Sequence, residues 1–148
     1  MKFSRLSSSE LKSLEKEFIE FLAVHGIDSD YWEKLKKTEN EKAEDLIDIF
    51  SDVVWQKTID KIEFLEHRTN RSIKLFNCKK DSIELIGIDG NIKDLNKGKL
   101  STLNQNKLSI YTHTKTYSPN RDQELFNMIK GGCSLSDNQL FNKLKKLV

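Results

Sequence analysis

The stretch FLEHRTNRSIKLFNC, Phe64–Cys78, decides how the chain is read, because a pattern of helical period gives way within it to one of period two. Upstream, Ala43, Leu46, Ile47, Phe50, Val53, Val54, Ile62 and Leu65 recur at helical steps, with no Gly or Pro before HRTN. This predicts one helix from Glu39 of about 28 residues, near 40 Å at 1.5 Å per residue. Downstream, Ile73 and Leu75 alternate with Lys74 and Phe76, as in a strand. Glu66, His67, Arg68 and Arg71 fall at the junction.

These four residues admit two readings. As a site, Glu66 and His67 would be an acid–base pair, with arginine holding an anion. As structure, Lys61, His67 and Arg68 near a helix C-terminus would satisfy orphan carbonyls and complement the negative end of the dipole, with Thr69 and Asn70 suiting the turn. Successive helical residues do not face one another, so Glu66 and His67 would not share a substrate. The junction reading is preferred, and anion binding by Arg68 and Arg71 is kept as a residual hypothesis.

Before the junction, Ser7 with Glu10 fits a capping box opening a helix over Ser8–His25, whose stripe is Leu11, Leu14, Phe18, Phe21 and Leu22, with Gly26 as its stop. DSDYWEKLKK opens a short second helix, and Thr38 with Glu41 makes a second capping box for the long third one. Trp55, Ile59 and Ile62 lie off the stripe of Leu46, Phe50 and Val53. A helix apolar on two sides touches two layers or a second subunit; an internal contact is expected first and a dimer second.

After the junction, SIELIGI places Ile83 and Leu85 on one face and Ile86 and Ile88 on the other, and KKDS is a short polar turn, so an antiparallel hairpin is predicted. Both faces are apolar, which puts the hairpin inside a sheet or between layers. Asp89–Lys107, rich in Asn, Gly and Lys, reads as a long connection. LSIYTHTKTY is a third strand. Pro119 is placed in the first turn of a helix with the face Leu125, Phe126, Met128 and Ile129, stopped by Gly131 and Gly132. Ser136 with Gln139 offers a third capping box for a last helix carrying Leu140, Phe141, Leu144 and Leu147. The expected fold is α+β in one domain over 1–148: a helical part to about residue 68, an antiparallel sheet of about three strands over about 71–117, and two helices over about 119–147.

At 148 residues, 36% hydrophobic and 32% charged, the chain suits one folded domain with a heavily solvated surface, which excludes wholesale disorder. Residues 1–66 carry 10 Lys+Arg against 16 Asp+Glu, net −6, and residues 67–148 carry 15 against 7, net +8, which together restore the +2 total. Such a split attracts either an anionic partner or the two halves to each other. Only Arg5, Arg68, Arg71 and Arg121 supply arginine, which speaks against base-specific nucleic-acid reading. The N-terminus has no apolar core of signal-peptide length, and no run of about 18 apolar residues occurs. A soluble cytoplasmic protein without membrane insertion is expected, with Cys78 and Cys133 as free thiols.

No phosphate-binding glycine loop, Gly-x-Ser-x-Gly, His-Glu-x-x-His or Cys-x-x-Cys is present, so nothing in the motifs argues for an enzyme. His67, Cys78, His113 and Cys133 lie 11, 35 and 20 positions apart, unlike the close pairs of structural zinc sites, and neither metal nor cofactor is expected. The last two helices are too far apart across GGCSLS for a helix-turn-helix. Outward aromatics Tyr31, Trp32 and Trp55 favour a non-catalytic interaction or accessory module binding a protein partner or a second copy. The alternative is non-specific nucleic-acid or ribonucleoprotein association through Arg68, Arg71, Lys74, Lys79, Lys80, Lys93, Lys97, Lys99 and Lys107. A small enzyme would need His67 and His113 to line one pocket.

The blocks SRLSSSELKSLEKEFIEFLAVHGI, YWEKLK, FSDVVWQKTIDKIEFLEHRT and ELFNMIKGGCSLSDNQLF resemble a family of small proteins of unknown function from Bacteroidota. The resemblance implies a bacterial cytoplasmic protein of one domain. It brings no activity, cofactor or site residue with it.

Overall fold

The computed structural model describes residues 1–90 and 108–148; the expected connection over Asp89–Lys107 lies almost wholly outside the described residues. The chain divides into two compact units, Met1–Thr58 and Ile59–Val148.

The first unit is helical. Ser7 and Glu10 form the expected capping box, each side chain bonded to the other's backbone N–H, and start α1, Ser8–Ser13. The single helix expected to His25 is broken at Leu14 (φ −105°, ψ 21°), and α2, Glu15–Val24, follows. Hydrophobic spacing is continuous across this break, so the periodicity did not reveal it. Gly26, at φ 74°, supplies the left-handed step that turns the chain, and Asp28 accepts from the Tyr31 N–H at 2.8 Å to start α3, Ser29–Thr38. Thr38 caps nothing downstream: its hydroxyl donates back to the Lys34 carbonyl at 2.8 Å, in the last turn of α3. After Glu39 comes α4, Asn40–Asp60.

Leu22, Ile27, Leu35, Ala43 and Leu46 form the core of this unit, with Phe18, Phe21 and Trp32 packed against it. Phe18 anchors the aromatic part, its ring edge-on to Trp32 at 5.2 Å and tilted on Phe50 at 5.0 Å. The segment before α1 is clasped to α4: the N–H groups of Lys2 and Phe3 donate to Asp52 at 2.7 and 2.9 Å, and Arg5 pairs with Asp48 and Glu44. Fully buried Ser51 accepts from the Leu6 N–H at 3.1 Å and donates to the Ile47 carbonyl at 2.8 Å, so its hydroxyl is satisfied on both sides.

Among the described residues of the second unit five strands form one antiparallel sheet: β1 Phe64–Arg68, β2 Ser72–Cys78, β3 Ser82–Asp89, β4 Ser109–Thr116 and β5 Ser134–Ser136, in the order β4-β3-β2-β1-β5. The predicted hairpin is β2 and β3, and it occupies the interior of the sheet as its two apolar faces required. Two strands were not expected. FLEHR is β1 rather than the end of a 28-residue helix, and SLS of the GGCSLS link is β5, which also removes any helix-turn-helix. Helix α4 has 21 residues and closes with the Ile62 N–H on the Ile59 carbonyl at 3.1 Å.

The cation on those last carbonyls is not Lys61, His67 or Arg68. It is Arg121, whose guanidinium donates to Ile59 O at 3.2 Å, Ile62 O at 2.7 Å and Lys79 O at 3.3 Å. Arg121 opens α5, Arg121–Lys130, which is capped by Asn120, so Pro119 stands before the helix and not in its first turn. The last helix, α6, is Gln139–Lys145; Ser136 belongs to β5 and does not cap it, the Gln139 N–H being held by Asp137 at 3.0 Å. Phe141 and Leu144 of α6 pack on Ile73, Leu75, Ile86 and Ile88, one face of the sheet, while Leu147 lies past the helix and 58% exposed.

Candidate functional site

Of the three expected contact aromatics, Tyr31 lines a cleft. Fixed in the first turn of α3 and 41% exposed, it shares a cleft of about 470 Å³ with His25, Lys42, Asp45 and Ile49, over a floor of buried Ile27 and Leu46. His25 is held at the rim by its Nδ1, 2.9 Å from the Phe21 carbonyl, and by its ring 4.4 Å from that of Phe21. Trp32, one step along α3, turns inward to Phe18, with the Lys36 ammonium 5.9 Å from its ring, and Trp55 is half-buried on α4. The expected main stripe of α4 holds at Leu46 and Phe50, which are buried, but not at Val53, 38% exposed; of the residues expected off it, Ile59 and Ile62 are buried and Trp55 half-buried, while Ile49 is 49% exposed.

The junction residues separate onto two sheet faces. Arg68 and Glu66, two apart on β1, point the same way and pair at 2.7 Å, so the Arg68 charge is already met; Arg71 is exposed in the β1–β2 turn. His67 faces oppositely. It shares a face with His113, but β2 and β3 lie between them, three strand spacings or at least about 14 Å, too far for one acid–base pair. Among the described residues no three His, Cys, Asp or Glu side chains are grouped so as to hold a metal ion. Cys78 is buried, and burial pushes its thiol up to about 12; Cys133 is half-buried and is raised for the same reason.

Four described cations of the second unit, Arg68, Lys79, Lys115 and Lys145, are paired with carboxylates. Lys145 and Lys79 reach Glu84 at 2.8 and 3.7 Å, which holds that carboxyl below its ordinary range, and Lys115 reaches Glu124 at 2.6 Å. Lys79 and Lys80 stand at one end of the β2–β3 hairpin, while Arg71 stands at the other; Lys93, Lys97, Lys99 and Lys107 lie outside the described residues.

One arrangement went unnoticed in the sequence. His67, Lys74, Gly87 and Tyr111 form a straight row across β1, β2, β3 and β4 on one face. A Cβ on Gly87 would lie 2.1 Å from Tyr111 Cζ and 2.4 Å from its hydroxyl, so the ring leans over β3 toward Lys74. The available signal was a glycine within the apolar SIELIGID, since glycine inside a strand often marks a close approach.

The clefts and the sheet thus define a small α+β protein in which no helix among the described residues is long and apolar enough to cross a membrane. The chain belongs to the Family of unknown function (DUF6495), whose sequence pattern matches residues 1–148. No curated protein and no solved structure matches it.

Proposed function

We propose that the protein is a non-catalytic interaction module that receives an apolar anchor of a protein partner in the Tyr31 cleft. The observation that carries this reading is a pair of exposed large side chains, Tyr31 and Ile49, set at the rim of a concavity with the apolar floor Ile27 and Leu46. Apolar floors with a few polar rim groups, here Lys42 and Asp45, are what protein anchors occupy. The exposed Val53, one turn beyond Ile49, extends the same side of α4. The family resemblance of the sequence blocks supports placing the module in a bacterial cytoplasm.

Association of the whole basic half with nucleic acid draws less support. Its described cations are divided between the two ends of a hairpin, and Lys79, Lys115, Lys145 and Arg68 are paired with carboxylates. The test is affinity purification of the tagged protein from its native cells, with and without nuclease, beside an Ile49→Asp variant. A stoichiometric protein that survives nuclease and is lost with Ile49→Asp supports the cleft. Self-association lost with the same substitution would make the partner a second copy. Capture of ribosomal or nucleoid proteins that nuclease removes and Ile49→Asp leaves unchanged would overturn the reading.

A further inference from the structure

A second feature, independent of the cleft, lies on the sheet. Lys74 is half-buried in the interior of the sheet, yet among the described residues no carboxylate pairs with it, in contrast to Arg68, Lys79, Lys115 and Lys145. A partly covered cation whose charge no described carboxylate meets is available to an anion that binds beside it. Its neighbours in the row are hydrogen-bonding groups. On one side His67 is closed over by Gly132, whose Cβ position lies 3.4 Å from His67 Nε2. On the other, the hydroxyl end of Tyr111 crosses Gly87 toward Lys74. Burial and the nearby Asp89 raise the Tyr111 phenol above its ordinary range, so it remains a protonated donor.

Tyr111 contributes more than its hydroxyl. One side of the ring rests on Gly87, and the residue is only partly covered among the described residues, which leaves ring surface for stacking. His113, exposed two residues along β4, borders it on the same face, as does exposed Asp89, which can accept from a base and whose charge also reaches the Tyr111 hydroxyl, so that Lys74 has to outweigh it for a phosphate to bind there. A cation with a hydroxyl donor, next to a flat aromatic ring, matches one ligand chemistry. We infer that the Lys74–Gly87–Tyr111 row binds a nucleotide unit, with the phosphate at Lys74 and the tyrosine hydroxyl and the base stacked on the Tyr111 ring. Free nucleotide and single-stranded nucleic acid share this unit.

Two probes separate the sources: AMP and UMP by calorimetry at up to 1 mM, and fluorescein-labelled single-stranded 12-mers of dT and rU by anisotropy, both with the full chain. Stacking and phosphate contacts of this kind predict that Tyr111→Ala and Lys74→Gln each weaken binding about tenfold, and Tyr111→Phe, which keeps the ring, by no more than about threefold. Lys74→Gln should also flatten the salt dependence, by about 0.7 in log–log slope for a single strand. Circular dichroism and thermal melting confirm that the variants compared are folded. Binding of the 12-mers alone assigns the row to single strands, and binding of mononucleotides alone assigns it to a free ligand. If neither probe binds by 1 mM, or if Lys74→Gln and Tyr111→Phe bind as the wild type while Tyr111→Ala only lowers the melting temperature, the row is a packing feature and the inference is overturned.

Discussion

The two units differ in how far backbone groups at helix and strand ends reach for their partners. In Met1–Thr58 helix starts are handled locally: Ser7 bonds three residues ahead and Asp28 three residues ahead. The exception is the N-terminal segment, which crosses to Asp48, Ser51 and Asp52 of α4. In Ile59–Val148 helix starts are also met locally, by Asn120 and Asp137, but other partners are distant. Arg121 closes carbonyls about sixty residues earlier, and β1 is flanked by a neighbour just after it and by β5 from residues 134–136. Local satisfaction makes a unit that tolerates the loss of one bond, whereas a distant staple concentrates several bonds in one side chain.

The sharpest way to break this contrast is Arg121→Ala. Three charge-assisted bonds to carbonyls disappear at once, and a loss of about 2–4 kcal/mol in unfolding free energy is expected, read by urea denaturation. Next comes Gly87→Ala, where the new methyl displaces the Tyr111 ring, for an expected loss of about 1–3 kcal/mol. The double variant with Tyr111→Ala should recover part of that loss, and a purely additive result would show that the ring does not depend on the glycine. In the first unit, Ser7→Ala removes one local cap and should cost about 1 kcal/mol.

The smallest effect is a pH dependence. The Lys145 hydrogen bond, with its charge and that of Lys79, lowers the folded Glu84 carboxyl from its ordinary 4.5. A depressed carboxyl stabilises the fold above its unfolded value and loses that contribution as pH falls through its folded value. Melting temperatures of wild type and Lys145→Ala should therefore differ at pH 6 and converge in acid. A constant difference would mean that Lys145 acts through packing on Phe141, 6.0 Å from its ammonium.

The same contrast explains what was legible in the sequence. Ser7, Gly26, the cap-rich entry of DSDYWEKLKK and the KKDS hairpin are legible because their partners stand within a few residues, although Thr38 and Ser136, equally local, do not cap. FLEHR was misread because a strand covered on both faces loses its alternation, and Leu65 falls in step with Ile62 of the preceding helix. Nothing near Ile59 announces that its capping cation is Arg121. The chemistry expected there, a cation on orphan carbonyls, was right, but the residue was not. SLS is too short for a period to be detected, and it became a strand through its pairing with β1. Tyr31 was found as an outward aromatic; Lys74 and Tyr111 were named for their strands, but their alignment exists only once four strands are in register.

The order β4-β3-β2-β1-β5 also governs how the protein behaves at high concentration. Every sheet that is not closed has two rims able to recruit further chains, and long apolar rims do so readily. Among the described residues one rim is a strand of only three residues, Ser134–Ser136, and the other, Ser109–Thr116, carries three threonines, His113 and Lys115 beside a single branched aliphatic, Ile110. The apolar strands are kept in the middle. The arrangement disfavours stacking into fibrils, so a chain with so many isoleucines in its sheet is expected to remain dispersed when crowded.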